Sequence, residues 1–197
     1  INIKNLKCIH ETKFPIYSLS NDKKIYSTVD YSRLNFFREG YGYKILNYEN
    51  SDSLLKICDF KTSKILVDIG KSDINGLLNI DYENCWVDHI LFAPNSYNFT
   101  FLLRYKNDKT NLFTSLIFYD FKNKKISVCL NTGMAGHGSW LNEKQFVIWG
   151  RKKRFVQNLS KYKSSFIKNI INLVRKHGVP NIIRKNVYGD TFLSFNT

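Results

Sequence analysis

Two segments of the chain repeat one another, and this internal repeat limits the folds that the sequence can adopt. The segments are LLKICDFKTSKILVDI, from Leu54 to Ile69, and SLIFYDFKNKKISVCL, from Ser115 to Leu130, with seven of sixteen positions identical. Each segment predicts a strand that ends in Asp-Phe, a polar turn and a return strand that begins with Ile. We therefore expect two equivalent β-hairpins, in which Asp59 and Asp120 cap the turns.

A second unit occurs three times in the chain. Its copies are IYSLSNDKKIYSTVD from Ile16, ILFAPNSYNFTFLLR from Ile90 and GSWLNEKQFVIWGR from Gly138. Each copy predicts a short strand, a turn and a longer apolar strand, so that one copy and one hairpin together form a four-stranded antiparallel sheet. The predicted fold class is all-β, with the antiparallel four-stranded blades of a β-propeller. A β-sandwich is the alternative, but it does not explain why one strand–turn pattern recurs in the same order.

The third unit is interrupted by a basic stretch, for which we predict a helical insertion over residues 152–187 within the last blade. Four apolar residues lie there at helical spacing, namely Phe166, Ile170, Ile171 and Val174. The pattern ends at Gly178-Val179-Pro180, and strand character resumes at Thr191, in what we expect to be the third strand of that blade. Residues 1–197 are therefore expected to form a partial propeller of about three blades within a longer protein.

Positive charge is concentrated in the same stretch. The chain has 30 Lys and Arg against 16 Asp and Glu, and no acidic residue lies between Glu143 and Asp190. A basic helix predicts peripheral contact of residues 151–185 with an anionic membrane, whereas a solvated helix packed on the blades is the alternative. No nucleic-acid-reading motif accompanies the charge, so we do not expect a nucleic-acid partner. The absence of an apolar run near 18 residues argues against a spanning helix.

The four cysteines are Cys8, Cys58, Cys85 and Cys129, and they lack the spacing of a zinc site. Cys58 and Cys129 lie in apolar alternating runs, where a free Cys behaves as a small hydrophobe. We therefore predict reduced core thiols and a cytoplasmic location, with membrane association through the basic stretch.

Two histidines stand at matching places in the repeat. His89 and His137 each precede the predicted innermost strand of a blade, so their loops should point to the same mouth of the central channel. Imidazole can ligate a metal or move a proton, and a nearby Arg104 or Arg151 could hold a sugar carboxylate through a bidentate contact. The alternative is that each His bonds the backbone between blades.

The segment from Tyr31 to Tyr43 is the other candidate, and we interpret it as a long loop. It combines guanidinium groups with aromatic rings, in Arg33, Arg38, Tyr41 and Tyr43, a mixture that suits sugars or anionic chains. The alternative is a loop that covers the first blade and fills a gap with its rings.

Three passages carry a resemblance to a known family. They are YSRLNFFREGYGY from Tyr31, DHILFAPNSYNFTFLLRY from Asp88 and GMAGHGSWLNEKQFVIWGRKK from Gly133. They resemble bacterial propellers related to oligogalacturonate lyase, in particular the branch associated with surface-polysaccharide biosynthesis. The resemblance implies a seven-bladed propeller that binds an acidic or lipid-linked glycan, with β-elimination by a His and an Arg beside a manganese ion held largely by His.

Carried onto this sequence, the resemblance implies catalytic roles for His137 and Arg104 and metal-ligand roles for His89 and His137. The later His and Gln expected for the metal site have no counterpart in the chain. With the residues named above, the candidate substrate-binding residues are Asp88, His89, Arg33, Arg38, Tyr41, Tyr43 and Arg151. A non-catalytic scaffold that docks proteins or a membrane is the alternative function.

Overall fold

The strands of the chain form three antiparallel sheets. The computed structural model describes residues 8, 10–43, 51–78, 80, 82–94, 97–108, 111–151 and 190–196. Sheet 1 has the order β1 (Ser18–Leu19), β2 (Ile25–Val29), β3 (Ser53–Asp59) and β4 (Ile65–Gly70). Sheet 2 has the order β5 (Cys85–Phe92), β6 (Phe99–Asp108), β7 (Asn111–Asp120) and β8 (Lys125–Leu130). Sheet 3 has the order β9 (Ala135–Asn142), β10 (Gln145–Arg151) and β11 (Asp190–Asn196). The prediction of an antiparallel β protein is confirmed, and the described residues do not by themselves close a ring.

Short helices connect the strands. Helix α1 (Tyr31–Phe37) follows β2, helix α2 (Lys71–Ile74) follows β4, and a 3-10 turn (Tyr82–Asn84) precedes β5. The interpretation of residues 31–43 as a loop is therefore wrong for its first half. Asp30 caps α1, because its carboxylate accepts hydrogen bonds from the backbone N–H groups of Ser32 and Arg33. No helix in the described ranges has the length and apolar character needed to span a bilayer.

The two repeated segments occupy equivalent positions, as predicted. Leu54 to Ile69 forms the third and fourth strands of sheet 1, and Ser115 to Leu130 lies in the third and fourth strands of sheet 2. The turns also match in conformation, since Ser63 and Lys124, each four residues after the Asp, have positive φ of 56° and 51°. A matching turn conformation in two separate sheets is what a structural repeat requires.

The copies of the second unit form the first two strands of each sheet. The third copy supplies β9 and β10, and β11 pairs with β10 from Arg151↔Asp190 to Gln145↔Asn196. Strand structure thus resumes near Thr191 as the third strand of sheet 3, which confirms that prediction. The helical insertion over 152–187, with Phe166, lies outside the described residues.

Sheet 2 is buried on both faces. Along β6, Phe101 and Leu103 pack into a cluster shared with sheet 1, whereas Leu102 packs with Phe146 and Ile148 of sheet 3. Side chains alternate between the faces of a strand, so a strand covered on both sides must be apolar at consecutive positions. This explains the uninterrupted Phe-Leu-Leu run of β6.

The first strands of the three sheets lie side by side. Strand β5 contacts β1 on one side and β9 on the other. Side-chain bonds join them, because the backbone N–H of His89 donates to the Tyr17 hydroxyl at 2.9 Å and Trp140 Nε1 donates to the Leu91 carbonyl at 3.0 Å. Residues near the middle of β5 are therefore placed where all three sheets meet.

All four cysteines have free thiols, in agreement with the prediction of reduced cysteines. Cys58 and Cys85 are buried, and burial raises the pKa of the partly buried Cys129 to about 11. The expectation of a core position is wrong for Cys8, which is exposed.

Asp59 and Asp120 each accept hydrogen bonds within their own turn. Asp59 Oδ1 accepts from the hydroxyl and the backbone N–H of Thr62, and Asp120 accepts from the backbone and side-chain N–H groups of Asn123. These bonds lower the pKa of both carboxyl groups. A pKa that is lower in the folded state means that the carboxylate stabilises the fold above the unfolded-state pKa, and that this stabilisation is lost as the pH falls through the folded-state pKa.

We predict that Asp59→Ala and Asp120→Ala each lower the midpoint of thermal unfolding at pH 7. The difference from the unaltered protein should narrow below about pH 4, where aspartate begins to bind protons in the unfolded chain. Thermal unfolding followed by circular dichroism at several pH values measures this effect. Asp59→Asn, which keeps an oxygen acceptor without the charge, should show a smaller loss. A loss that is the same at every pH would contradict the role of the charge.

Candidate functional site

A buried carboxylate lies at the meeting point of the three sheets. The Asp88 side chain on β5 is only 3% exposed, yet it has three charged or titratable neighbours. Its Oδ2 atom accepts from Arg104 Nε at 2.6 Å and from Arg38 Nη1 at 3.3 Å, and its Oδ1 atom accepts from His89 Nδ1 at 2.8 Å. Arg104 is held in turn by Thr114, since its Nη1 donates to the Thr114 hydroxyl at 3.1 Å.

The electrostatics of Asp88 result from opposing effects. Burial raises the pKa of the Asp88 carboxyl, whereas the hydrogen bond from His89 and the charge of Arg104 lower it, and the net direction is down. Asp88 is therefore ionised at neutral pH, and two guanidinium groups surround one carboxylate. The cluster carries one positive charge in excess.

A β-bulge brings His89 beside Asp88. Asp88 pairs with Leu102 and Leu91 pairs with Thr100, so that His89 and Ile90 together lie opposite Phe101. His89 has a φ of 53°, in the left-handed region that a residue with a Cβ seldom occupies. Adjacent side chains in a regular strand point to opposite faces, and the bulge removes this restriction. Backbone strain of this kind is concentrated at functional sites.

The Asp88–His89 hydrogen bond fixes which imidazole nitrogen can reach a ligand. An ionised carboxylate only accepts hydrogen bonds, so Nδ1 of His89 must carry the proton that is shared with Asp88. The Nε2 atom then faces away from the carboxylate. A carboxylate that orients an imidazole in this way is the arrangement found where histidine moves protons or contacts anions.

His89 and His137 come together, as their positions in the repeat predicted. Their ring centroids lie 5.8 Å apart with an interplanar angle of 65°. The expectation that both lie in loops before the first strands is wrong, because His89 is within β5 and His137 is within β9. The contact between neighbouring first strands, rather than a loop, brings the rings together.

Tyr17 is a site residue that the sequence did not reveal. Its hydroxyl accepts the His89 backbone N–H at 2.9 Å and lies near the charges of Asp88, Arg104 and Arg38. Burial raises the pKa of this phenol, and the nearby Asp88 charge adds to the increase. In the repeat, Pro15 stands where the later copies have His89 and His137, so an alignment of the copies does not point to Tyr17.

The segment that follows α1 contributes Arg38 and an exposed aromatic ring. The Arg38 guanidinium carbon lies 3.5 Å from the centre of the Tyr41 ring, a cation–π contact, while Nη1 reaches Asp88. Arg38 is 34% exposed, whereas Arg104 is 13% exposed. Of the two guanidinium groups, Arg38 is therefore better placed to contact a ligand.

Of the other predicted substrate-binding arginines, Arg33 binds main-chain carbonyls and Arg151 stands at the end of a strand. Arg33 on α1 is buried and donates to main-chain carbonyls, to Cys85 at 2.8 Å and to Ser51 at 3.1 Å. These bonds give Arg33 a structural role in joining α1 to β5. Arg151 ends β10, where its backbone N–H donates to Met134 and its register partner is Asp190.

The described side chains do not by themselves form the manganese site that the resemblance implies. Within these ranges no group of three or more His, Cys, Asp and Glu side chains is arranged to hold a metal ion. Asp88, which would be the carboxylate ligand beside His89 and His137, is already bound by two cationic guanidinium groups. The positive charges of these two guanidinium groups repel a divalent cation.

Comparison of the chain with protein-family models, with curated proteins and with solved structures finds no match.

We predict that Asp88→Asn lowers the free energy of unfolding by about 3–5 kcal/mol, because it leaves Arg104 without its buried counter-charge. Urea unfolding measures the loss. The control is Asp68→Asn, which breaks an ion pair between Lys56 and a carboxylate that is 45% exposed and should cost less than about 1 kcal/mol. Equal losses in the two variants would show that Asp88 does not organise the cluster.

Proposed function

We propose that the chain supplies about three blades of a β-propeller whose central mouth binds an acidic glycan. The propeller is supported by three antiparallel sheets with strands in chain order and by first strands that lie side by side. Equivalent Asp-capped hairpins in sheets 1 and 2 add to this support. Innermost strands of successive blades are neighbours around a propeller axis, and the ligand site of a propeller is at the mouth of its channel.

The observation that carries the proposed function is the excess positive charge beside two imidazoles. Arg38 and Arg104 outnumber the single carboxylate of Asp88, and the ring of His137 lies exposed near His89. Guanidinium N–H groups are the donors that a sugar carboxylate requires, and the ring N–H of His137 can add another. A uronic acid is therefore the class of sugar that this cluster favours, and the resemblance to polysaccharide-related propellers points to the same class.

The remaining inferences from the resemblance are a lipid-linked form of the glycan and β-elimination. For elimination, His89 Nε2 or the exposed His137 is the group that can take up a proton, and Asp88 orients His89 for this purpose. Ultraviolet absorbance of the unsaturated product, measured with an oligogalacturonate as the substrate, tests the reaction separately from binding.

We predict that the protein binds an oligogalacturonate more tightly than a neutral galactose oligomer of equal length. Arg38→Ala should weaken binding of the acidic sugar by about 10- to 100-fold, because a hydrogen bond between charged groups contributes about 1.5–3 kcal/mol. His137→Ala should also weaken binding of the acidic sugar. Isothermal titration calorimetry measures both effects.

Lys122→Ala is the matched control for these variants. Lys122 lies in the β7–β8 turn and should be without effect on binding. Equal affinity for the neutral oligomer, or unchanged affinity in Arg38→Ala, would contradict the proposed function.

The alternative function, a scaffold that docks on an anionic membrane, depends on residues 151–185, of which only Arg151 lies in the described part of the chain. We predict that the protein sediments with vesicles that contain anionic lipid and that added salt weakens this binding. Equal sedimentation with neutral vesicles would contradict an electrostatic contact.

A further inference from the structure

A row of aromatic rings extends from the Asp88 cluster to the surface. The Tyr17 ring, whose hydroxyl bonds His89, lies 6.3 Å from the Tyr31 ring, and Tyr31 stacks on Tyr43 with centroids 4.8 Å apart at 25°. Tyr43 at the outer end is 56% exposed. The row therefore connects an exposed ring face to the charged cluster.

The chain holds Tyr43 in this position by close backbone contacts. The backbone N–H of Tyr43 donates to the Tyr31 carbonyl at 3.2 Å, and Gly40 donates to the Asn35 side chain at 3.2 Å. A Cβ atom on Gly42 would collide with the Tyr31 carbonyl, so only glycine permits this approach. The ring is thus ordered before any ligand arrives, which lowers the entropy cost of binding.

The two inner phenols of the row, Tyr17 and Tyr31, remain uncharged at neutral pH. Burial, together with the neighbouring Tyr43 and Tyr17 phenols, raises the pKa of Tyr31 to about 12. Burial also raises the pKa of Tyr17. An anionic ligand at Arg38 consequently meets no phenolate at Tyr17 or Tyr31.

We propose that Tyr43, supported by Tyr31, is a second sugar-binding position, so that the ligand is a chain of at least two sugars. The acidic sugar lies at Arg38 beside His89, and the apolar face of another pyranose of the same glycan packs on the Tyr43 ring. An aromatic side chain offers a rigid apolar surface at small entropy cost, which suits the C–H face of a sugar ring. This inference rests on the proposed function, since the charged cluster anchors the acidic sugar.

The test compares methyl galacturonide with digalacturonate and trigalacturonate in NMR titrations of the protein. In the unaltered protein the longer sugars should bind about tenfold more tightly than the monosaccharide. Tyr43→Ala should remove this gain, so that the affinities for the longer sugars fall to that for methyl galacturonide. Tyr43→Phe keeps the ring and should retain the gain.

Phe36→Ala is the matched control, because Phe36 is an exposed aromatic residue of α1 whose ring contacts Phe37. This variant should change neither the affinity for methyl galacturonide nor the gain for the longer sugars. If Tyr43→Ala leaves the gain intact, or weakens all three sugars equally, the second sugar position is wrong while the uronate site stands. If none of the three sugars binds, the proposed function is wrong and the second position falls with it.

Discussion

The burial of both faces of sheet 2 is the constraint on which the rest of the structure depends. Phe101 and Leu103 of β6 face sheet 1, and Leu102 faces sheet 3, so sheet 2 cannot shift toward one neighbour without exposing apolar surface to the other. This packing holds β5 between β1 and β9. The position of β5 in turn fixes where Asp88 and His89 lie, and it is the reason that His137, from another sheet, reaches His89.

A buried carboxylate in such a place is costly unless it is compensated. Asp88 is compensated by Arg104 on the neighbouring strand, by Arg38 after α1 and by the adjacent His89. The two guanidinium charges exceed the single negative charge of Asp88. Because Arg38 is partly exposed, this excess positive charge is accessible to solvent. A purely structural ion pair would need only one arginine, so the second guanidinium is the part of the cluster that favours a ligand over a simple contact between sheets.

Repetition explains what could be predicted from the sequence. The equivalence of the Asp59 and Asp120 hairpins, the three strand–turn–strand units and the approach of His89 to His137 all follow from copies of one pattern. Features without a copy were missed or misread. Helix α1 depends on the cap at Asp30 within a segment rich in Gly and Tyr, and the buried role of Arg33 depends on carbonyl groups about 20 and 50 residues away. Tyr17 meets His89 across 72 residues, a contact that no local pattern encodes.

The bulge at His89 joins the fold to the proposed chemistry. A regular β5 would place His89 and Asp88 on opposite faces, and the imidazole would then lose both its orientation and its approach to His137. The left-handed φ of His89 is the energetic cost of this arrangement. Two hydrogen bonds hold the residue there, one donated by its backbone N–H to Tyr17 and one donated by its ring to Asp88. These two bonds stabilise the strained backbone of His89 before a ligand binds, so ligand binding does not have to produce this conformation. For this reason the geometry of His89 favours a ligand site over the alternative of a histidine that merely bonds the backbone between sheets.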